Sequence, residues 1–540
     1  MFGVIVGIFV FVLFLEIIML ISWIDMKRKR KAFIRGKFGR TPKAKEWDEN
    51  IRGFYDVVSD GSGVDDVTWN DLSMNDVFRR ISQCDTSVGE EVLYWKLRRN
   101  HMSQEERQLF ERRVRMFMNN QKEREEIEEL LCDIGKSPSS YYIPSYLDSM
   151  DIYLLKHVWV YRALQILLVM SAVILLIFQT DAAAMPLAAT AVVNLVIYTT
   201  VKMRNETGLY MVGAAAGLIK NGKKLAKRKE IQVFFPELEK AVSKLGGVTR
   251  AAWILQFQQA GRESGELLST LADYIGGITL WQVTTYNKVM RRLEAKEKEY
   301  FEVYRCIGEM DAAVSTASLR KNLPWYCLPE YTGEKKVEME ELYHPLIEDP
   351  VANSVTITKN CLITGSNASG KSTFIKAVAV NAILAQSINT CAARAFILPE
   401  CSVITSMAVK DDLMAGESYF IREIKYLRRI LDSLNEDKMT LCAIDEILRG
   451  TNTGERIRAS RAILEYLSDK NCIALVATHD KELTELLGDS YANYHFSEEI
   501  GEHDIVFNYR IIEGPASSQN AVKLLEFAGF PKEIIRASCR

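Results

Sequence analysis

The hydrophobic positions of this chain fall into unlike patterns. From Phe2 to Ile24 they run almost unbroken, with Glu16 as the single charge. A helix of that length reaches about 34 Å, enough to cross a bilayer. The run is followed by Lys27-Arg28-Lys29-Arg30-Lys31. A secretory leader carries its positive charge before the apolar stretch and a small-residue cleavage site after it, so the order here predicts a retained anchor with its N-terminus outside. A second apolar region, Ala163 to Val201, is broken at Gln179-Thr180-Asp181 and predicts a helical hairpin. Lys156 and Arg162 precede it, Lys202 and Arg204 follow it, and Asp181 is the charge at its turn. Positive residues stay on the cytoplasmic side, which puts the tip outside and both ends inside, in agreement with the first anchor. Pro186 and Asn194 weaken the last span, and a buried soluble hairpin stays open as the other reading.

A different pattern begins near residue 340, where short, wholly apolar runs each end in a polar loop. Leu362-Ile363-Thr364 is followed by Gly365-Ser366-Asn367-Ala368-Ser369-Gly370-Lys371-Ser372 and a helical stretch from Thr373. Strand, glycine-rich loop and helix are the context a phosphate-binding loop requires, with backbone N–H groups and the helix N-terminus facing the anion. Lys371 is placed to reach the β- and γ-phosphates of ATP, and Ser372 to ligate Mg²⁺. Leu441 to Ile444 forms another apolar strand, ending in Asp445-Glu446. Asp445 suits the magnesium shell, and Glu446 suits polarisation of the attacking water. Cys472 to Ala477 predicts a strand ending in Thr478-His479-Asp480, where His479 is placed to sense the γ-phosphate.

Charge narrows the field little: 68 basic residues against 70 acidic leave −2, so no global excess favours nucleic acid. The basic stretch from Lys27 to Lys45 fits anionic headgroups better than DNA phosphates, because it adjoins the anchor. A second basic cluster, Lys220, Lys223, Lys224, Lys227, Arg228 and Lys229, reads as a solvated helix face or as a phosphate contact. The ten cysteines are scattered, with neither a Cys-x-x-Cys pair nor a zinc-ligand spacing, which suggests reduced buried thiols and no structural zinc.

At these residues the chain resembles the MutS family of DNA mismatch-repair ATPases. Thr364-Gly365-Ser366-Asn367-Ala368-Ser369-Gly370-Lys371-Ser372-Thr373 keeps the family's phosphate loop except for serine in place of proline. Asp445-Glu446-Ile447-Leu448-Arg449-Gly450-Thr451-Asn452-Thr453 keeps its second motif, with Leu448 where the family has glycine. Ala477-Thr478-His479 and Tyr343-His344-Pro345-Leu346 resemble two further elements, and so does Ala528-Gly529-Phe530-Pro531. Asp411-Asp412-Leu413 with Gly416-Glu417-Ser418-Tyr419-Phe420 looks like the segment whose serine contacts nucleotide on the other subunit. The resemblance therefore implies nucleotide contacts from Gly365 to Thr373 and, in trans, from Ser418. It also implies a homodimer joined by two composite ATP sites. Ile81 to Gly89 and Ile307 to Asp311 resemble the start and exit of the family's helical core.

The expected fold class is a multidomain chain: an α-helical core and lever with transmembrane helices, plus an α/β P-loop ATPase domain of ABC type. The expected segments are an anchor over 1–25, a basic linker over 26–65 and a first helical core part over 66–160. A membrane hairpin follows over 161–203, then a helical lever over 204–335 and the ATPase domain over 336–540. No mismatch-recognition domain fits before the core, and Phe235-Pro236-Glu237 and Phe496-Ser497-Glu498 match its Phe-x-Glu motif only in the wrong places. The expected location is the cell membrane, with several spans and the ATPase in the cytoplasm. The partner stays open between DNA, mismatched or branched, and a protein. A transporter fits less well, because the Leu-Ser-Gly-Gly-Gln signature is missing.

Overall fold

A computed structural model describes residues 2–43, 46–136, 138–149, 153–249, 274–366, 369–407, 419–500, 505–515, 530–531, 533–534 and 537. Asn367, Ala368, 411–418 with Ser418, and Ala528-Gly529 lie outside the described residues. A helical body precedes a C-terminal part built on two β-sheets.

The apolar N-terminal run and the basic stretch after it form one helix, α1 (Phe2–Lys37). The principal helices of the body are α2 (Asp66–Asp71), α3 (Ser87–Arg98), α4 (Gln104–Asn119) and α5 (Gln121–Ile134). After the hairpin α6 (Val158–Phe178) and α7 (Asp181–Arg204) come α8 (Glu206–Leu225), α9 (Trp281–Glu294) and α10 (Glu297–Asn322). Both hairpin helices are long and apolar enough to cross a membrane, and most of their surface is exposed. The break between them follows the sequence: Gln179 adopts φ +46°, and the Thr180 hydroxyl oxygen caps α7 by accepting from Ala183 N at 3.3 Å.

Helix α1 lies along an acidic face of α5. Arg30 meets Asp133 at 2.5 Å, Lys31 meets Glu129 at 3.4 Å, and Arg35 forks onto both Glu125 oxygens at 3.0 and 2.9 Å. Lys37 is half-buried and reaches Asp85 at 2.6 Å and Glu128 at 3.2 Å. Much of the basic stretch expected to face headgroups or DNA is thus neutralised within the chain. Part of the second basic cluster is likewise engaged: Lys223 donates to Thr249, Lys224 faces Asp133, and Arg228 pairs with Glu123 and Glu126.

The two core segments named by the family resemblance meet directly. Asp311 on α10 accepts from Asp85 N at 3.0 Å, Thr86 N at 2.8 Å and Thr86 Oγ1 at 2.7 Å, at the start of α3. Glycines permit the approach: a Cβ on Gly89 would stand 2.3 Å from Asp311 Oδ2, and one on Gly308 2.3 Å from Val92 Cγ2.

The C-terminal part holds strands β1 (Glu330–Tyr331), β2 (Val337–Leu342), β3 (Asn353–Ile357), β4 (Cys361–Thr364) and β5 (Ala395–Leu398). They are followed by β6 (Cys401–Ser406), β7 (Met439–Asp445), β8 (Cys472–Ala477), β9 (Ala492–Ile500) and β10 (Ile505–Glu513). Strands β1-β5-β2-β3 form one sheet, and β10-β9-β4-β8-β7-β6 the other. Among the described residues, the β9–β10 pair of the larger sheet is antiparallel and its other pairs are parallel. Helix α11 (Lys371–Ile388), almost wholly buried, packs against β6, β7 and β8. Strands β4 and β8 are buried at every position, as continuous apolar runs in a covered parallel sheet should be. Helices α12 (Tyr419–Ser433) and α13 (Thr453–Ser468) also belong to this part.

Arg320 and Asp71 are among the residues whose polar contacts tie the helical body to the sheets. Buried Arg320, at the end of α10, donates to Asn389 O and Thr390 Oγ1, both at 2.9 Å. Asp71, at the end of α2, accepts from Thr405 Oγ1 at 2.7 Å and Met407 N at 3.0 Å, at the end of β6.

Candidate active site

Strand order gathers the candidate residues at one edge. β4, β8 and β7 are parallel, and their registers place Ile363 and Asp445 each opposite Ala477. The residues that follow them, from Gly365, from Thr478 and at Glu446, leave the same C-terminal edge, where open α/β sheets bind ligands. Thr478 N donates to Ile363 O at 3.1 Å, and Glu446 N to Ala477 O at 2.9 Å, so all three loops are fixed to one another.

The loop after β4 needs its glycines. Gly365 takes φ +144°, and a Cβ there would lie 2.7 Å from Phe496 O; Gly370 takes φ +104° and opens α11. Lys371, in the first turn of α11, is buried and donates its ammonium to Gly365 O and Ser366 O, each at 2.7 Å. Burial pushes its pKa down, against the opposing pull of Asp445, Glu446 and Glu498. Ser369 Oγ closes the loop onto Ser366 O at 2.8 Å. Ser372 and Thr373 follow in that first turn, Ser372 half-buried and Thr373 exposed, and Asp445 ends β7. Hydroxyl and carboxylate oxygens are the hard donors that Mg²⁺ prefers, so this pair fits that ion.

Glu446 sits in the left-handed region at φ +64°. His479 Nε2 lies 3.2 Å from its Oε1, and Arg449 pairs with Oε2. Burial pushes the carboxyl up, but His479, Arg449 and Lys371 outweigh it and hold the group below the usual carboxylate range. Arg449 is anchored in turn, its N–H donating to Glu423 at 3.0 Å. The loop behind His479 is braced by Asp480, which receives a fork from Arg456 at 2.8 and 2.5 Å.

Several residues at the site gave no sequence signal for this role. Glu498 on β9 accepts from Ser366 Oγ at 3.0 Å, and Phe496 backs the loop. Both belong to the tripeptide that the sequence marks only as a misplaced Phe-x-Glu. A cavity of about 320 Å³ opens beside Gly370 and Thr373, lined by His344, Val351, Phe374, Phe496 and Tyr509. Burial pushes His344 down to about 4, with Lys376 adding to the effect, so its ring is neutral. The sheet pairing of β4 with β9 was the information needed to place Phe496 and Glu498 here.

Residues 361–540 match the model of MutS domain V. The DNA mismatch repair protein MutS from two strains of Clostridium kluyveri is 32% identical over 272 residues, covering 46% of this chain and 31% of the relative. The chain thus spans about a third of the length of these curated relatives.

Proposed function

We propose, from the premise that the chain belongs to the MutS family through its C-terminal domain, that it is a membrane-anchored ATPase working as a homodimer. The observation that carries this reading is the buried Lys371 ammonium, held by two carbonyls of a glycine loop beside Asp445 and Glu446. When phosphate enters the loop, Lys371 exchanges those carbonyls for phosphate oxygens, and the amides from Gly365 to Thr373 supply the remaining donors. That span includes Ser366, Asn367, Ala368, Ser369, Gly370 and Ser372. Ser372 and Asp445 would hold Mg²⁺, which neutralises charge developing on the phosphates. Glu446 orients and deprotonates the attacking water, and His479 fixes that carboxylate and faces the γ-phosphate. The aromatic cavity beside Gly370 has the size and lining for a nucleobase. Ser418 reaches the nucleotide of the second subunit, so binding joins the dimer and hydrolysis releases it.

Our reading makes α1, α6 and α7 the spans of a multi-pass protein of the cell membrane, with its N-terminus outside and the ATPase inside; the apolar length of α6 and α7 and the apolar run of α1 support it. Its client, by analogy with the mismatch-repair relatives, is mismatched or branched DNA. A protein client is the second reading, favoured because Lys224, Arg228, Arg30 and Arg35 spend their charge on acidic residues of α5 and its surroundings. Purified protein in nanodiscs should hydrolyse ATP and associate through ATP-dependent contacts when hydrolysis is blocked. Mobility shift with homoduplex, mismatched and branched DNA separates the two clients: ATP-dependent binding supports DNA, and equal failure on all three leaves the protein partner. Absence of ATP turnover in the intact dimer would overturn the enzyme assignment itself.

A further inference from the structure

A short segment ahead of helix α9 is fastened to the hairpin by polar contacts that lie well within its apolar length. Asn194 on α7 donates to Ile278 O at 2.7 Å, and Gln165 on α6 donates to Thr279 O at 2.9 Å and Thr284 Oγ1 at 3.3 Å. Tyr198 donates to Gln282 Oε1 at 2.5 Å, and its ring lies so near Gly277 that a Cβ there would be 2.6 Å from Cδ1. Tyr198, Leu280 and Val283 form a small buried cluster against Leu164, Leu195 and Val201.

Depth along the hairpin follows from helix rise. Asn194 lies 13 residues beyond Asp181, and Gln165 lies 13 before Phe178, so each is about 20 Å from the tip. The apolar interior of a bilayer is about 30 Å thick, so a hairpin that crosses it holds these side chains in the inner leaflet. The side-chain N–H groups of Asn194 and Gln165 would lack acceptors if they faced acyl chains there, and the carbonyls of Ile278 and Thr279 would lack donors; each supplies what the other needs. The outward face of the same segment is apolar and aromatic: Tyr274 is 56% exposed, Ile275 61% and Trp281 45%.

We infer that Tyr274–Trp281 is a membrane-embedded element, seated in the cytoplasmic leaflet against the hairpin, with acyl chains covering its exposed face. Tyr274 and Trp281 have the side chains that favour the zone between acyl chains and headgroups. The inference rests on the proposed insertion of the hairpin and extends it to a segment that the sequence assigns to the helical lever. It also fixes where the lever begins. From Trp281, α9 and α10 run to Asn322, where Arg320 grips Asn389 and Thr390 behind α11, so one helical path joins the bilayer to the ATPase.

The test is photo-cross-linking of the full chain in vesicles of phosphatidylethanolamine and phosphatidylglycerol carrying radiolabelled acyl chains. p-Benzoylphenylalanine replaces Ile275, with Leu176 on the hairpin and Val233 on the helical body as exposed controls. Retention of labelled ATP confirms that each variant is folded. The expected result is a lipid adduct from positions 176 and 275, each about tenfold or more above position 233. An adduct from 176 with 275 at the level of 233 overturns the inference and leaves the hairpin in the membrane. No adduct above background from 176 overturns the insertion of the hairpin and this inference with it.

Discussion

Glu446 Oε1 stands 3.2 Å from His479 Nε2, although the two residues belong to loops after different strands. The contact exists because β7 and β8 are parallel neighbours whose registers bring Asp445 opposite Ala477. Arg449 holds the other oxygen of the same carboxylate, so Glu446 is oriented from both sides and kept ionised. An ionised, fixed carboxylate at the open end of a phosphate loop is suited to accept a proton from water.

Replacing that carboxylate separates binding from chemistry. Glu446→Gln should retain Mg-ATP while hydrolysis falls by about 10²-fold or more. Single-turnover phosphate release beside equilibrium binding measures the two steps. Parental turnover by the variant would remove Glu446 from the proposed role.

Leu448 carries a cost where the family has glycine. It adopts φ +59°, a region that disfavours side chains, yet its side chain is buried in the second hydrophobic cluster of the sheet domain. The left-handed backbone costs about 1–2 kcal/mol, and burial of a leucine returns about 1.5–3 kcal/mol. Leu448→Ala loses the burial and keeps the strain, whereas Leu448→Gly loses both. The glycine variant should therefore melt higher than the alanine variant, the reverse of the usual order in regular structure. Equal or opposite melting temperatures would contradict the account of this turn.

Asp311 joins the two ends of the helical core by accepting the N–H groups of Asp85 and Thr86 and the hydroxyl of Thr86. Asp311→Ala leaves buried donors unpaired, which should cost about 3 kcal/mol. Hydrogen exchange should report the loss as faster exchange across Ser87–Arg98, with the sheet domain unchanged. Unaltered protection in that helix would show that the contact adds nothing to stability.

Glu128 gives the helical body a pH dependence. It is fully buried, and burial raises its carboxyl to about 7 against the pull of Lys37, with Asp85 raising it further. A group that holds its proton more tightly when folded stabilises the fold fully below its unfolded pKa and loses that contribution as pH rises through the folded value. Between pH about 4.5 and 7 the loss amounts to about 3 kcal/mol. Glu128→Gln removes this slope, so its melting temperature relative to the parent should rise between pH 5 and pH 8. A difference that does not change with pH would rule the titration out.

Much of the candidate site's edge was legible because its strands are short apolar runs ending in distinctive loops. β8 begins and ends where the sequence puts it, at Cys472 and Ala477, and α11 begins at Lys371, two residues before the expected helix. Glu498 and Phe496 were not legible, since only the pairing of β9 with β4 brings them to a loop 132 residues away. The fate of the basic stretch in α1 was hidden for a similar reason. Glu125, Glu128 and Glu129 look like an ordinary solvated helix face until α1 is laid against them. Charge runs reveal their partners only once long-range packing is known.

Equilibrium retention of radiolabelled ATP with magnesium, by the purified parent and by Lys371→Ala, tests the phosphate-loop assignment most directly. The account predicts saturable, magnesium-dependent binding by the parent and its loss in the variant, with the variant still folded by hydrogen exchange. A parent that retains no nucleotide, or a variant that binds as well as the parent, would contradict it.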